Sequence, residues 1–150
     1  MNLNRQRSFL WSLLPSVLLR RRFRFYLGDG EKKSHIEIGE VGEKMARRHL
    51  KNLGRKILYK NYRGPKGGEL DIVARDGDVL TFVEVKTRKR REESRPLDAV
   101  TLEKQDLIER GARAWLALLP HNDFQWRFDV VEVILEEGKK PHICVVSDAF

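Results

Sequence analysis

Cysteine is almost absent: Cys144 stands alone in 150 residues, so no disulfide can close within the chain and no thiolate zinc site can form. A reducing compartment is the simpler home, which makes the cytoplasm the expected location. Histidine is scarce too, and His35, His49, His121 and His142 include no pair at the helical spacing of a metal site. Any bound metal is therefore left to carboxylates. Long apolar runs are missing. Phe9 to Leu19 is the most apolar stretch near the start, but it is too short to span a bilayer and is interrupted by Pro15. No small-residue cleavage site follows it, as a signal peptide would require. Internal repeats and low-complexity tracts do not occur.

What is present suits one domain with a proper core, at 41% hydrophobic residues. The 30 Lys and Arg exceed the 22 Asp and Glu by eight, a surface suited to polyanions. Residues 1–33 hold eight basic and two acidic side chains and so carry most of that excess. There Arg20, Arg21, Arg22 and Arg24 alternate with Phe23, Phe25 and Tyr26. The segment reads as a basic, poorly ordered extension ahead of an α/β domain over 34–150. A segment resting weakly on an anionic membrane surface, or a start assigned too early, are the other readings.

Ser34-His35-Ile36-Glu37 is a capping box that opens a helix, with Ile38, Val41, Met45, Ala46, His49 and Leu53 on one face and Gly54 as its stop. Gly39 and Gly42 inside it, each costing roughly 1 kcal/mol relative to Ala, point to a close packing approach near Glu43. By itself Glu43 reads as an ordinary solvent-facing residue. A strand follows at Lys56–Tyr62, then a glycine-rich basic loop, Arg63-Gly64-Pro65-Lys66-Gly67-Gly68. A second helix is expected from near Thr101 to Pro120, with Leu102, Ile108, Ala112, Trp115, Leu116 and Leu119 at helical spacing. Strands at 126–134 and 142–146 close the order α-β-β-β-α-β-β.

Between loop and second helix lie the most informative residues. Glu69-Leu70-Asp71-Ile72-Val73-Ala74 and Leu80-Thr81-Phe82-Val83-Glu84-Val85-Lys86-Thr87 are apolar strands joined by a tight turn. Strand side chains alternate, so Glu84 and Lys86 share a face with Phe82. A turn at Asp76-Gly77 sets Asp71 opposite Phe82, diagonal to Glu84; a turn at Gly77-Asp78 sets it directly opposite Glu84. Both turns put two carboxylates and an ammonium on one face, whereas a simple three-residue loop without a bulge would separate them. Taken alone, that grouping is equally a cross-strand ion pair worth about 0 to 1 kcal/mol. The basic run Lys86, Arg88, Lys89, Arg90 and Arg91 continues from the strand, and Glu92 to Pro96 reads as an exposed loop.

Five short signatures are combined with this hairpin: Gly39-Glu40-Val41-Gly42-Glu43, Gly68-Glu69-Leu70-Asp71-Ile72-Val73-Ala74, Phe82-Val83-Glu84-Val85-Lys86-Thr87-Arg88, Ala99-Val100-Thr101 with Lys104-Gln105, and Arg127-Phe128-Asp129-Val130-Val131. Together they resemble the YraN-type family of bacterial proteins, within the PD-(D/E)XK nuclease superfamily, from about Gly39 to Val146. The literal Pro-Asp pair is absent, since Asp71 follows Leu70. The resemblance implies a restriction-endonuclease-like α/β core, a mixed central sheet flanked by two helices, and a metal-dependent nuclease. Asp71, Glu84 and the Val85 carbonyl would hold Mg²⁺ or Mn²⁺. Lys86 would orient water or stabilise charge, and Glu43 would position the water or help hold a metal.

Arg63, Lys66, Arg88, Lys89, Arg90, Arg91, Lys104 and Gln105 would contact nucleic-acid phosphates, DNA ahead of RNA, in branched or single-stranded structures. A homodimer is compatible with the fold. Two other functions remain open at the level of sequence: a nucleic-acid-binding protein without turnover, and an interaction or membrane-surface protein in which the basic extension matters most.

Overall fold

A computed structural model describes residues 33–90, 100–120 and 123–150. The expectations for residues 1–32, for Arg91 and for the loop at 92–96 lie outside the described residues. Seven elements follow one another: α1 (His35–Asn52), β1 (Lys56–Arg63), β2 (Glu69–Asp76), β3 (Val79–Lys89), α2 (Leu102–Leu116), β4 (Trp126–Leu135) and β5 (His142–Val146). They form an α/β core in the expected order. The strands make one sheet in the order β1-β2-β3-β4-β5, with β3 and β4 parallel and the other pairs antiparallel. The parallel step falls where a helix is available to cross over, between β3 and β4.

Each face of the sheet carries one helix. Ile38, Ala46 and Leu50 of α1 bury against Ile72, Ala74, Val83, Val131 and Val133. Ile108 and Ala112 of α2 bury against Val73, Phe82 and Val130. The capping box of α1 is formed, the Ser34 hydroxyl accepting from the Glu37 N–H while the Glu37 carboxylate accepts from the Ser34 N–H. Gly42 lies on the buried line of α1, where a Cβ would overlap the side chain of Thr87 on β3. The close approach expected near Glu43 is therefore real at Gly42; Gly39 faces open space. On the other face, a Cβ at Gly68 would overlap the Gly111 backbone, so a pair of glycines lets α2 rest directly on the entry to β2.

Several expected boundaries and faces shift. Leu53 is the C-cap of α1 and is exposed; Leu50 takes the core position that the apolar stripe assigned to it. Leu102 is exposed as the first residue of α2, ahead of the turn that meets the sheet, and the helix ends at Leu116, short of Pro120. The third strand runs on to Lys89, because its parallel pairing with β4 continues to Lys89 opposite Leu135.

Candidate active site

The β2–β3 hairpin adopts the second of the two possible registers: Asp76 pairs with Val79 and Ile72 with Val83. One step further, Asp71 comes level with Glu84. There the backbone ladder gives way to a side chain, and Asp71 Oδ2 accepts from the Val85 N–H at 2.8 Å. Alternation places Glu84 and Lys86 on the α2 side, beside Phe82. Glu84 is 3% exposed, and its Oε1 lies 3.0 Å from Lys86 Nζ. Lys104, on the first turn of α2, brings its ammonium to 3.5 Å from Glu84 Oε2 and 3.8 Å from Glu69 Oε2. Thr101 caps that turn, its hydroxyl accepting from the Lys104 N–H at 3.3 Å.

Burial raises the Asp71 carboxyl to about 7, and the neighbouring Glu84 charge pushes in the same direction. The Val85 amide and Lys104 oppose the rise without cancelling it. A side-chain hydrogen bond between Asp71 and Glu84 adds to the rise. Glu84 Oε2 is buried and makes no hydrogen bond among the described residues; it faces only an ammonium. Two carboxylates held this close, with an oxygen left over, fit the donor set of a small hard cation, which commonly takes one or two carboxylates plus waters and phosphate oxygens. Asp71 and Glu84 are the residues that would hold it. No third His, Cys, Asp or Glu joins them in a metal-binding group among the described residues.

Glu43 does not meet this pair. It sits on α1, on the opposite face of the sheet, and engages Arg47 at 3.4 Å. Arg88 is buried and ion-paired with Glu132 of β4, which corrects its expected role as a surface phosphate contact. The alternation of a longer β3 turns it inward with Glu84 and Lys86. Arg90 pairs with Glu136 at 2.7 Å, and Lys89 is half-buried. The Gln105 amide donates to the Val100 carbonyl at 3.2 Å, closing the entry to α2 instead of facing outward. Arg63 and Lys66 are exposed, and Arg63 reaches Glu69 at 3.9 Å. Glu69 is the site residue that sequence reasoning passed over. Its position two residues before Asp71, at the start of the same strand, was the available signal.

The Arg127-Phe128-Asp129 segment serves architecture. Fully buried Asp129 accepts from Arg55 at 2.6 Å, from Arg127 at 2.9 Å and from the Asp148 N–H at 3.0 Å. Arg127 also reaches Asp76 at 2.6 Å. This network ties the end of α1, the β2–β3 turn, β4 and the C-terminal segment together.

The class so defined is an α/β protein with a sheet between two helices and a buried carboxylate pair flanked by lysines. The profile of a family described as "Uncharacterised protein family UPF0102" matches residues 42–133. Full-length relatives agree. A UPF0102 protein of Geotalea daltonii is 45% identical over 123 residues, covering 82% of this chain and 95% of its own length. One from Trichlorobacter lovleyi is 40% identical across 79% of this chain and 93% of its own, and one from Rhodococcus opacus 40% identical across 77% and 98%. The chain belongs to the UPF0102 family. No helix among the described residues is long and apolar enough to cross a membrane.

Proposed function

We propose that this protein is a divalent-metal-dependent nuclease that hydrolyses phosphodiester bonds, in DNA ahead of RNA. The observation that carries the proposal is the convergence of Asp71 and Glu84 in a buried position with Lys86 Nζ 3.0 Å from Glu84. Two neighbouring carboxylates repel each other once both are ionised, and a bound cation offsets that cost. The likeness of the hairpin to the PD-(D/E)XK superfamily supports the same reading. Mg²⁺ or Mn²⁺ bound there supplies Lewis acidity toward a phosphoryl oxygen and lowers the pKa of a bound water.

The chain's own groups do the rest. Lys86, half-buried, places a positive charge where negative charge builds on the phosphoryl oxygens. Lys104 adds a second, anchored by the capped first turn of α2. The Val85 amide fixes the Asp71 carboxylate in orientation through its 2.8 Å hydrogen bond. Arg63 and Lys66 contribute phosphate contacts at the entry loop. Glu43 lies on α1, on the other face of the sheet, and its variants are expected to act more weakly than those of Asp71.

The test is a panel of labelled single-stranded, duplex, flapped and branched oligonucleotides incubated with Mg²⁺ or Mn²⁺. Wild type is expected to cleave at least one, with Asp71→Asn and Lys86→Ala each reducing the rate about 100-fold or more. Equal cleavage by wild type and Asp71→Asn contradicts the proposal. A second reading is binding without turnover, favoured by the ion pairs of Lys86 and Lys104 with Glu84, which already offset its charge. Binding by wild type and both variants, with cleavage by none, selects it.

A further inference from the structure

From Arg55 to Gly68 the chain carries five basic residues and no acidic one. Arg55 is buried against Asp129, which leaves Lys56, Lys60, Arg63 and Lys66, all exposed. These flank β1, the edge strand, and an aromatic cluster is set among them. Tyr59 is 49% exposed, with its ring centroid 5.1 Å from that of Trp115. Tyr62 meets the same indole edge-on at 5.3 Å and Tyr59 at 6.0 Å. Residues three apart in a regular strand point to opposite faces. Here Asn61 stands in the left-handed region at φ 51°, the alternation is broken, and both tyrosines gather on Trp115.

Sealing the core explains Tyr62 and Trp115, which pack against the cluster around Leu70, Ile108 and Ala112. It does not explain Tyr59, whose ring is fixed by the indole yet half in water. A half-exposed ring held against an indole among exposed cations has the features of a stacking platform for unpaired bases, with phosphates held alongside. The platform is also continuous with the carboxylate pair. Arg63 is level with Glu69 in the β1–β2 register, and Glu69 precedes Asp71 by two residues, about 7 Å along the strand. Glu69 and Glu84 are joined through Lys104.

We propose that the outer side of β1 binds a single-stranded nucleic-acid segment, one base stacking on Tyr59 and the phosphates lying on Lys56, Lys60, Arg63 and Lys66. The direction of that strand toward Asp71 and Glu84 rests on the nuclease reading; the stacking itself does not. Unpaired bases are required because a duplex hides its base faces. A peptide adding to the same edge is disfavoured by four cations with no intervening acid, which select a polyanion.

The test uses the full chain in EDTA, so that turnover plays no part, with a fluorescent oligothymidylate of about 16 nucleotides, an abasic strand of the same length and a blunt duplex. Wild type is expected to bind the thymidylate at least about fivefold more tightly than the abasic strand. Tyr59→Leu, which keeps an apolar side chain against Trp115, is expected to erase that preference, and Tyr59→Trp to retain it. Lys56→Ala with Lys60→Ala is expected to weaken both strands alike and flatten the salt dependence, by about 0.7 in log–log slope per lost contact. Equal binding of abasic and thymidylate strands by wild type, or a Tyr59→Leu protein that keeps the preference, overturns the proposal. Retained stacking in a protein that cleaves nothing with Mg²⁺ leaves this proposal standing and removes the nuclease; cleavage with no Tyr59 effect does the reverse.

Discussion

Asp71 shows how one residue's surroundings become a measurable property. Its folded pKa of about 7 lies above the ordinary value of 3.8, so between those pH values the folded state holds a proton that the unfolded state has released. Stability from this group is therefore full at low pH and is lost as pH rises from about 4 through about 7, at up to about 1.4 kcal/mol per pH unit. Asp71→Asn removes the dependence. In metal-free buffer the variant is expected to gain in melting temperature over wild type between pH 5 and pH 8, which thermal unfolding at a series of pH values would read. A difference that stays constant across that range contradicts the raised pKa. Asp129 is the opposite case. Fully buried and satisfied by two guanidinium groups and an amide, it should cost about 3 to 5 kcal/mol when replaced by Ala, because buried Arg55 loses its 2.6 Å carboxylate and keeps only longer contacts with Asp76 and Ser147. Denaturant unfolding of Asp129→Ala measures it. At this scale Asp71, Glu84 and Lys86 were legible because strand alternation is a local rule. The partners of Arg88 and Asp129 were not, since Glu132 and Arg55 lie 44 and 74 positions away in the chain.

Elements are positioned by close contacts that leave no room for a methyl group. Gly42 seats α1 on Thr87, and Gly68 with Gly111 seats α2 on the start of β2. Gly111→Ala meets Leu70 and the Glu69 backbone, at 2.9 to 3.1 Å from its new Cβ, so the helix must move to accommodate it. Lys104 rides on that helix. Gly111→Ala is expected to lower stability by about 1 to 3 kcal/mol and to weaken the Lys104 contact with Glu84, reported by chemical denaturation and by a loss of the proposed nuclease activity larger than the loss of fold. Activity unchanged in a destabilised protein would uncouple helix placement from the site. The helices were legible from capping box and apolar spacing, and Gly42 even announced its close approach. The length of β3 was not: a run of Lys and Arg has the composition of a solvated loop, and only pairing with β4, some forty residues later, extends it as a strand.

For the whole molecule, basic charge and the proposed cation site imply opposite responses to ions. Added monovalent salt is expected to weaken nucleic-acid binding steeply, while a few millimolar Mg²⁺ or Mn²⁺ stabilises the fold by linkage. The α/β order and its two-sided core follow from the pattern of apolar residues, but the assembly of α2, β2 and β3 around one carboxylate pair depends on register, which the sequence left open among two two-residue turns and a three-residue loop. Calorimetric titration of Mn²⁺ into wild type and Asp71→Asn at pH 8, where Asp71 is ionised, addresses that assembly most directly. Wild type should give a saturable heat that Asp71→Asn lacks; identical heats from the two proteins, or none from wild type, would contradict a cation site at Asp71 and Glu84.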